Sequence, residues 1–167
     1  EAFYHNLVDR EGRSPEGRVR LLEKTPKNAL RVPFFDAVWP DTTFIYLYPD
    51  VRETLYSMME AWHSGAFRTY PNLPGWRGMP WSLLLVPGWQ DLNGLQLPEV
   101  VARQWATTTD TLIDDLQKLE PGRVQAVDYR AFLNSPQTEV ERLTKAVGLS
   151  WDRQLGEALP LSKTTVS

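Results

Sequence analysis

Cysteine is absent from this 167-residue chain, which excludes disulfides, thiolate metal sites and a cysteine nucleophile. Histidine is nearly absent as well: His5 and His63 lie far apart and make no metal-ligand spacing, so no metal is expected. Positive charge is not in excess. A formal net charge of −3 argues against non-specific nucleic-acid binding, which needs a basic face, while leaving room for a local pocket for one anionic ligand. No apolar run approaches the roughly 20 residues that span a bilayer. The start, Glu1-Ala2-Phe3-Tyr4-His5, has neither the basic nor the apolar region of a secretory signal, so a cytoplasmic protein is the expectation. A Gly-x-x-x-x-Gly-Lys-Ser/Thr loop is also missing, which argues against a nucleotide kinase.

What is present is ordinary for a globular protein: 42% hydrophobic and 23% charged residues, in a length suited to one domain spanning 1–167. Seven Trp with six each of Tyr and Phe are rich for this size. A heavily aromatic core or a flat substrate surface would each account for them.

Along the chain, residues 2–9 carry a short amphipathic pattern, and Glu11 to Arg18 reads as a Gly/Pro-punctuated loop. Val19 to Glu23 alternates weakly, as a short strand would. Lys27 to Trp39 has helical spacing, with Pro33 imposing a kink or a delayed start. The continuous apolar run Thr43–Tyr48 predicts a strand covered on both faces. Asp50 is placed to cap a helix running to Trp62. Between Gly65 and Gly94, prolines and glycines interleave with Trp76, Trp81 and Trp89; this segment reads as a lid or substrate-side insertion with one short helix near Trp81–Leu85. A long helix should cover Val100–Leu119, stopped by Pro121-Gly122, followed by a strand over Arg123–Tyr129. Helices are expected at about 130–134, at 136–147 with Gly148 as the cap, and near 151–157, before a polar tail at 161–167. The alternation indicates an α/β fold of three layers, with a short parallel sheet of about three strands flanked by helices.

In such sheets ligands bind where a strand hands over to a helix, because the helix N-terminus offers N–H groups and a positive dipole end. Here that handover is Phe44-Ile45-Tyr46-Leu47-Tyr48-Pro49-Asp50-Val51-Arg52-Glu53, with Ser57 two turns in. Upstream stands Glu23-Lys24-Thr25-Pro26; downstream stands Asp128-Tyr129-Arg130-Ala131-Phe132-Leu133-Asn134-Ser135-Pro136.

Together these blocks resemble the sulfotransferases that use 3′-phosphoadenosine 5′-phosphosulfate (PAPS), particularly bacterial members, from about Leu21 onward. Trp105 and Leu159-Pro160-Leu161-Ser162 also sit in familiar places. The resemblance implies transfer of a sulfuryl group from PAPS to a hydroxyl or amine acceptor, by in-line displacement and without a metal. It implies that Ser57 binds the 3′-phosphate, that Arg52 adds charge there, and that Tyr129 packs on the adenine. It also implies that Glu23 takes the acceptor's proton, while Lys24 meets the charge on the sulfuryl and leaving phosphate. Residue by residue, an exposed helical serine, a surface ion pair for Arg52, a core tyrosine and an exposed Glu–Lys pair are the plainer alternatives. His63 would fall at the far end of its helix and is not expected to serve as a base.

The chain departs from the family at several points. Pro49 stands where an arginine usually precedes the serine, Arg130-Ala131 stands where Glu-Asp is usual, and Pro26 removes a histidine some members use. A Gly- and Ser/Thr-rich loop for the 5′-phosphosulfate is not found before Glu23; the Arg10–Arg18 loop has no strand leading into it. The chain is therefore expected to correspond to the middle and rear of such an enzyme, with a non-catalytic or truncated binding module as the alternative.

Overall fold

A computed structural model describes residues 8, 12–14 and 20–156. The helix expected over 2–9 lies outside these apart from the exposed Val8, and so does the tail at 161–167. Of the strand expected at Val19–Glu23, the described residues 20–23 are irregular, as is the chain to 25, and Leu21 and Leu22 are exposed and pair with no strand among the described residues.

A 3-10 turn, Pro26–Leu30, leads into helix α1, Val32–Val38. Pro33 occupies the opening turn of α1, where its missing N–H costs nothing, so it delays the helix rather than kinking it. Strand β1 is Phe44–Tyr48 and helix α2 is Val51–Ser64, ended by Gly65 in the left-handed conformation at φ 64°. Strand β2, Arg68–Tyr70, pairs antiparallel with β3, Trp81–Ser82. Helix α3 runs Leu97–Leu116, and β4 is Val124–Asp128. Helices α4, Tyr129–Asn134, and α5, Pro136–Ala146, follow; residues 151–156 are irregular rather than helical.

The fold is α/β, with a short parallel sheet flanked by helices. That sheet has two strands among the described residues, not three: β1 and β4 pair in parallel, with Phe44 opposite Val124 and Tyr48 opposite Asp128. The Phe44 N–H donates to Arg123 O at 2.7 Å, so residues 44, 46 and 48 face β4 through their backbones. Ile45 and Leu47 direct their N–H and C=O groups to the opposite edge, where no described residue pairs with them. Their side chains are also 42% and 45% exposed. The two-sided cover expected of a continuous apolar strand is thus not supplied by the described residues.

The main core sits elsewhere. Trp81 and Trp62 are 0% and 1% exposed, and their rings meet edge-on with centroids 5.4 Å apart. Trp76 reaches Trp81 at 4.9 Å, and Val86, Leu92, Val100 and Val101 close the cluster. Buried aromatic side chains dominate core energetics, so this cluster anchors the core. The helix expected near Trp81–Leu85 is therefore replaced by a strand and an irregular turn, with Leu83 at φ 64°. Gln104 of α3 pins the turn from inside. Its Nε2 donates to Ser82 O and Leu84 O, and its Oε1 accepts from Trp62 Nε1 at 3.0 Å.

Candidate functional site

Because β1 and β4 run in parallel and in register, they end side by side, at Tyr48 and Asp128. Each is followed almost at once by a helix, α2 after Pro49-Asp50 and α4 directly. Both helices are capped by an aspartate. Asp50 Oδ1 accepts the N–H groups of Arg52 at 2.8 Å and Glu53 at 3.2 Å, while Asp128 Oδ1 accepts from Ala131 N–H at 2.8 Å. The N–H donors of Glu53 and Arg52, helped by the nearby Arg130 and Arg52 charges, hold the exposed Asp50 carboxyl below its usual range.

This capping changes what the corner offers an anion. The N–H groups of Arg52 and Glu53 are already spent on Asp50, and Thr54 N–H bonds Asp50 O. A phosphate would have to be held by side chains beside the helix tip rather than by free N–H groups at it.

The side chains there are specific. Ser57 is exposed, and its hydroxyl has no partner among the described residues. The exposed Arg52 likewise forms no ion pair among them, although its charge acts on Asp50. Tyr129 is half-buried at the first position of α4. Arg130, the next residue, reaches across to α2, its guanidinium 2.7 Å from Glu53 Oε1, with both side chains well exposed. Glu53 and Ser57 stand four positions apart on one helix face, so Arg130 is held roughly one turn above the Ser57 hydroxyl. Sequence reasoning passed over Arg130 as a departure. The one available signal was the pair of strands each followed closely by a helix, whose register brings residues from both junctions to one corner.

Glu23 and Lys24 lie on the irregular approach to the 3-10 turn that packs against α3. Glu23 accepts a hydrogen bond from Asn28 Nδ2, which fixes it against the turn. Lys24 is exposed and without a partner among the described residues. No hydrogen bond or ion pair joins them to Ser57 or Tyr129. Among the described residues, no group of three or more His, Asp or Glu is arranged to hold a metal, and no helix is long and apolar enough to cross a membrane.

Residues 1–153 match the sequence profile of the Sulfotransferase family. Among solved structures, the chain is similar to a sulfotransferase domain from the curacin biosynthetic pathway, with a TM-score of 0.55 and 16% identity. That likeness, which bears on the fold, covers 81% of this chain and 43% of the other, so the chain spans less than half the length of that neighbour. No curated protein gives a significant match.

Proposed function

The chain belongs to the sulfotransferase family, and from that premise we propose that the corner between α2 and α4 is the nucleotide-binding part of a PAPS-dependent sulfotransferase. The observation that carries the reading is the meeting of Ser57's face of α2 with Arg130 across an in-register strand pair. PAPS would supply the sulfuryl group, and the residues present suit its nucleotide half. Ser57 offers a hydroxyl donor, and Arg130 and Arg52 offer guanidinium groups suited to phosphate oxygens. Tyr129 offers a flat ring at a strand end for the adenine. In this reading Arg130 supplies the cation that Pro49 cannot.

Glu23 is the base and Lys24 the positive charge for the departing phosphate, and the acceptor is a hydroxyl or an amine.

A second reading, a non-catalytic or truncated sulfotransferase-like binding module, has its own support. The carboxylates of Asp50 and Glu53 flank the site, and the outer edge of β1, which no described residue pairs, is where a further phosphate-binding segment would attach. Calorimetric titration with 3′-phosphoadenosine 5′-phosphate tests the nucleotide corner in both readings. Binding should be weakened in Ser57→Ala and in Arg130→Ala by about 1–3 kcal/mol each, the range for a lost charge-assisted bond. A well-folded chain that binds no nucleotide at millimolar concentration would remove the corner from the mechanism.

A further inference from the structure

Glu23 is an exposed carboxylate on an irregular stretch of chain, where a long side chain keeps its rotamer freedom unless something holds it. A base must be held within reach of the proton it takes. The restraint comes from the following turn, where Asn28 Nδ2 donates to Glu23 Oε2. Glu23 Oε1 has no partner among the described residues. On the reading of Glu23 as the base, we propose that Asn28 is its positioning residue: the amide fixes Oε2 and leaves Oε1 to receive the acceptor's proton.

Asn28 can serve as a fixed point because its backbone is committed on both sides. Its N–H donates to Thr25 O at 3.0 Å, and its C=O accepts from Arg31 N–H at 2.9 Å, which closes the 3-10 turn and ties it to α1. That turn packs against α3, so the half-buried Asn28 side chain leaves from anchored backbone. A group held in this way passes its own order to the carboxylate it bonds.

The other end of the amide argues that stability alone does not account for the residue. Asn28 Oδ1 is buried and accepts no hydrogen bond, and an unpartnered buried acceptor opposes folding. An apolar side chain at this position would avoid that penalty, but it could not donate to Glu23. The donor's neutrality matters as well. Lys24 is adjacent in sequence yet forms no ion pair with Glu23, so a single neutral donor orients the carboxylate.

In the transfer step the acceptor's proton passes to Glu23 Oε1 while the acceptor's electron pair forms the bond to sulfur. The bond from sulfur to the phosphate oxygen breaks, and its electron pair leaves with the phosphate. Asn28 acts on this step only through Glu23.

The test compares the intact wild-type chain with Asn28→Ala and with Asn28→Asp, which keeps the side chain's shape but has no N–H donor at neutral pH. The γ-protons of Glu23 should give separate NMR signals in the wild type and merge in both variants. The urea midpoint of Asn28→Ala should stay within about 0.3 M of wild type or rise. With PAPS as donor and 2-naphthol as probe acceptor, Asn28→Ala should lower kcat by about tenfold to 100-fold and keep the KM for PAPS within about twofold. The same change in a Glu23→Gln background should cost nothing further. Merged γ-proton signals in the wild type, separate signals retained in Asn28→Asp, or a midpoint lowered by more than about 1 M would each overturn the positioning role. An unchanged kcat in Asn28→Ala beside an inactive Glu23→Gln would remove Asn28 alone. Full turnover in Glu23→Gln would instead remove Glu23 as the base, and the positioning role with it.

Discussion

Replacing Gln104 by leucine asks whether the Trp-rich segment is a lid or part of the core. The side chain is 1% exposed, and its amide joins α2, α3 and the 81–84 turn through one accepted and two donated hydrogen bonds. Leucine fills much of the same volume but removes all three bonds. Leu84 O retains a donor, because Trp81 Nε1 also reaches it at 3.1 Å. Trp62 Nε1 and Ser82 O are left without partners in a buried setting. Each such orphan costs about 1–3 kcal/mol, so the loss should be about 4 kcal/mol, a large share of the roughly 5–15 kcal/mol that stabilises a domain. Urea unfolding followed by tryptophan emission should show the midpoint falling by about 2 M, for a slope of about 2 kcal/mol/M. Hydrogen exchange should show the wild-type 81–86 backbone as protected as α2 and newly labile in the variant. A midpoint shift below about 0.5 M, with 81–86 exchanging freely in the wild type, would restore the lid and refute the core assignment.

Three further outcomes follow from the corner and the sheet. Glu53→Gln should tighten nucleotide binding several-fold, because it releases Arg130 from its carboxylate partner; unchanged or weaker binding in the titration would deny Arg130 its role. Asp50 is held below its ordinary range in the folded chain, so its stabilising effect is complete above the unfolded value of about 3.9 and is lost as pH falls through the folded one. Asp50→Asn should therefore flatten the acid limb of a thermal-melting profile below about pH 4, and an unaltered limb would contradict the cap's electrostatic part. Ile45→Lys should suppress self-association through the β1 edge that no described residue pairs, as seen by sedimentation velocity, and a strictly monomeric wild-type chain would refute that.

The two parallel strands and the helices after them were legible because each carries its signal locally. Phe44–Tyr48 is an apolar run too short for a helix, Asp50 and Asp128 precede helical periods, and Gly148 sits where Ala146 ends α5. What was not legible depended on partners distant in sequence. Trp81 reads as a helix starter beside Ser82, Leu83 and Leu84, yet Trp62 and Gln104 draw it into a strand-like turn. Val19–Glu23 has a strand's alternation, but residues 20–23 pair with no described strand, and unpaired backbone does not hold a strand's geometry. At the site, Ser57, Arg52 and Tyr129 were nameable from short motifs. Arg130 was not, because its value comes from Glu53, 77 positions earlier.

That last relation is a consequence of register. Tyr48 and Asp128 are opposite one another, so the second position of α4 and the third of α2 must approach at the sheet's end. Sliding β4 by one residue would turn its side chains to the other face and carry Arg130 away from Glu53. The Pro49 departure is compatible with this arrangement for the same reason. A cation delivered from β4's helix does not depend on what occupies the β1 turn. A proline there also costs no sheet bond, since it follows the last paired residue. The charge that the family usually places before α2 can therefore arrive from the neighbouring strand, provided the two strands stay in step.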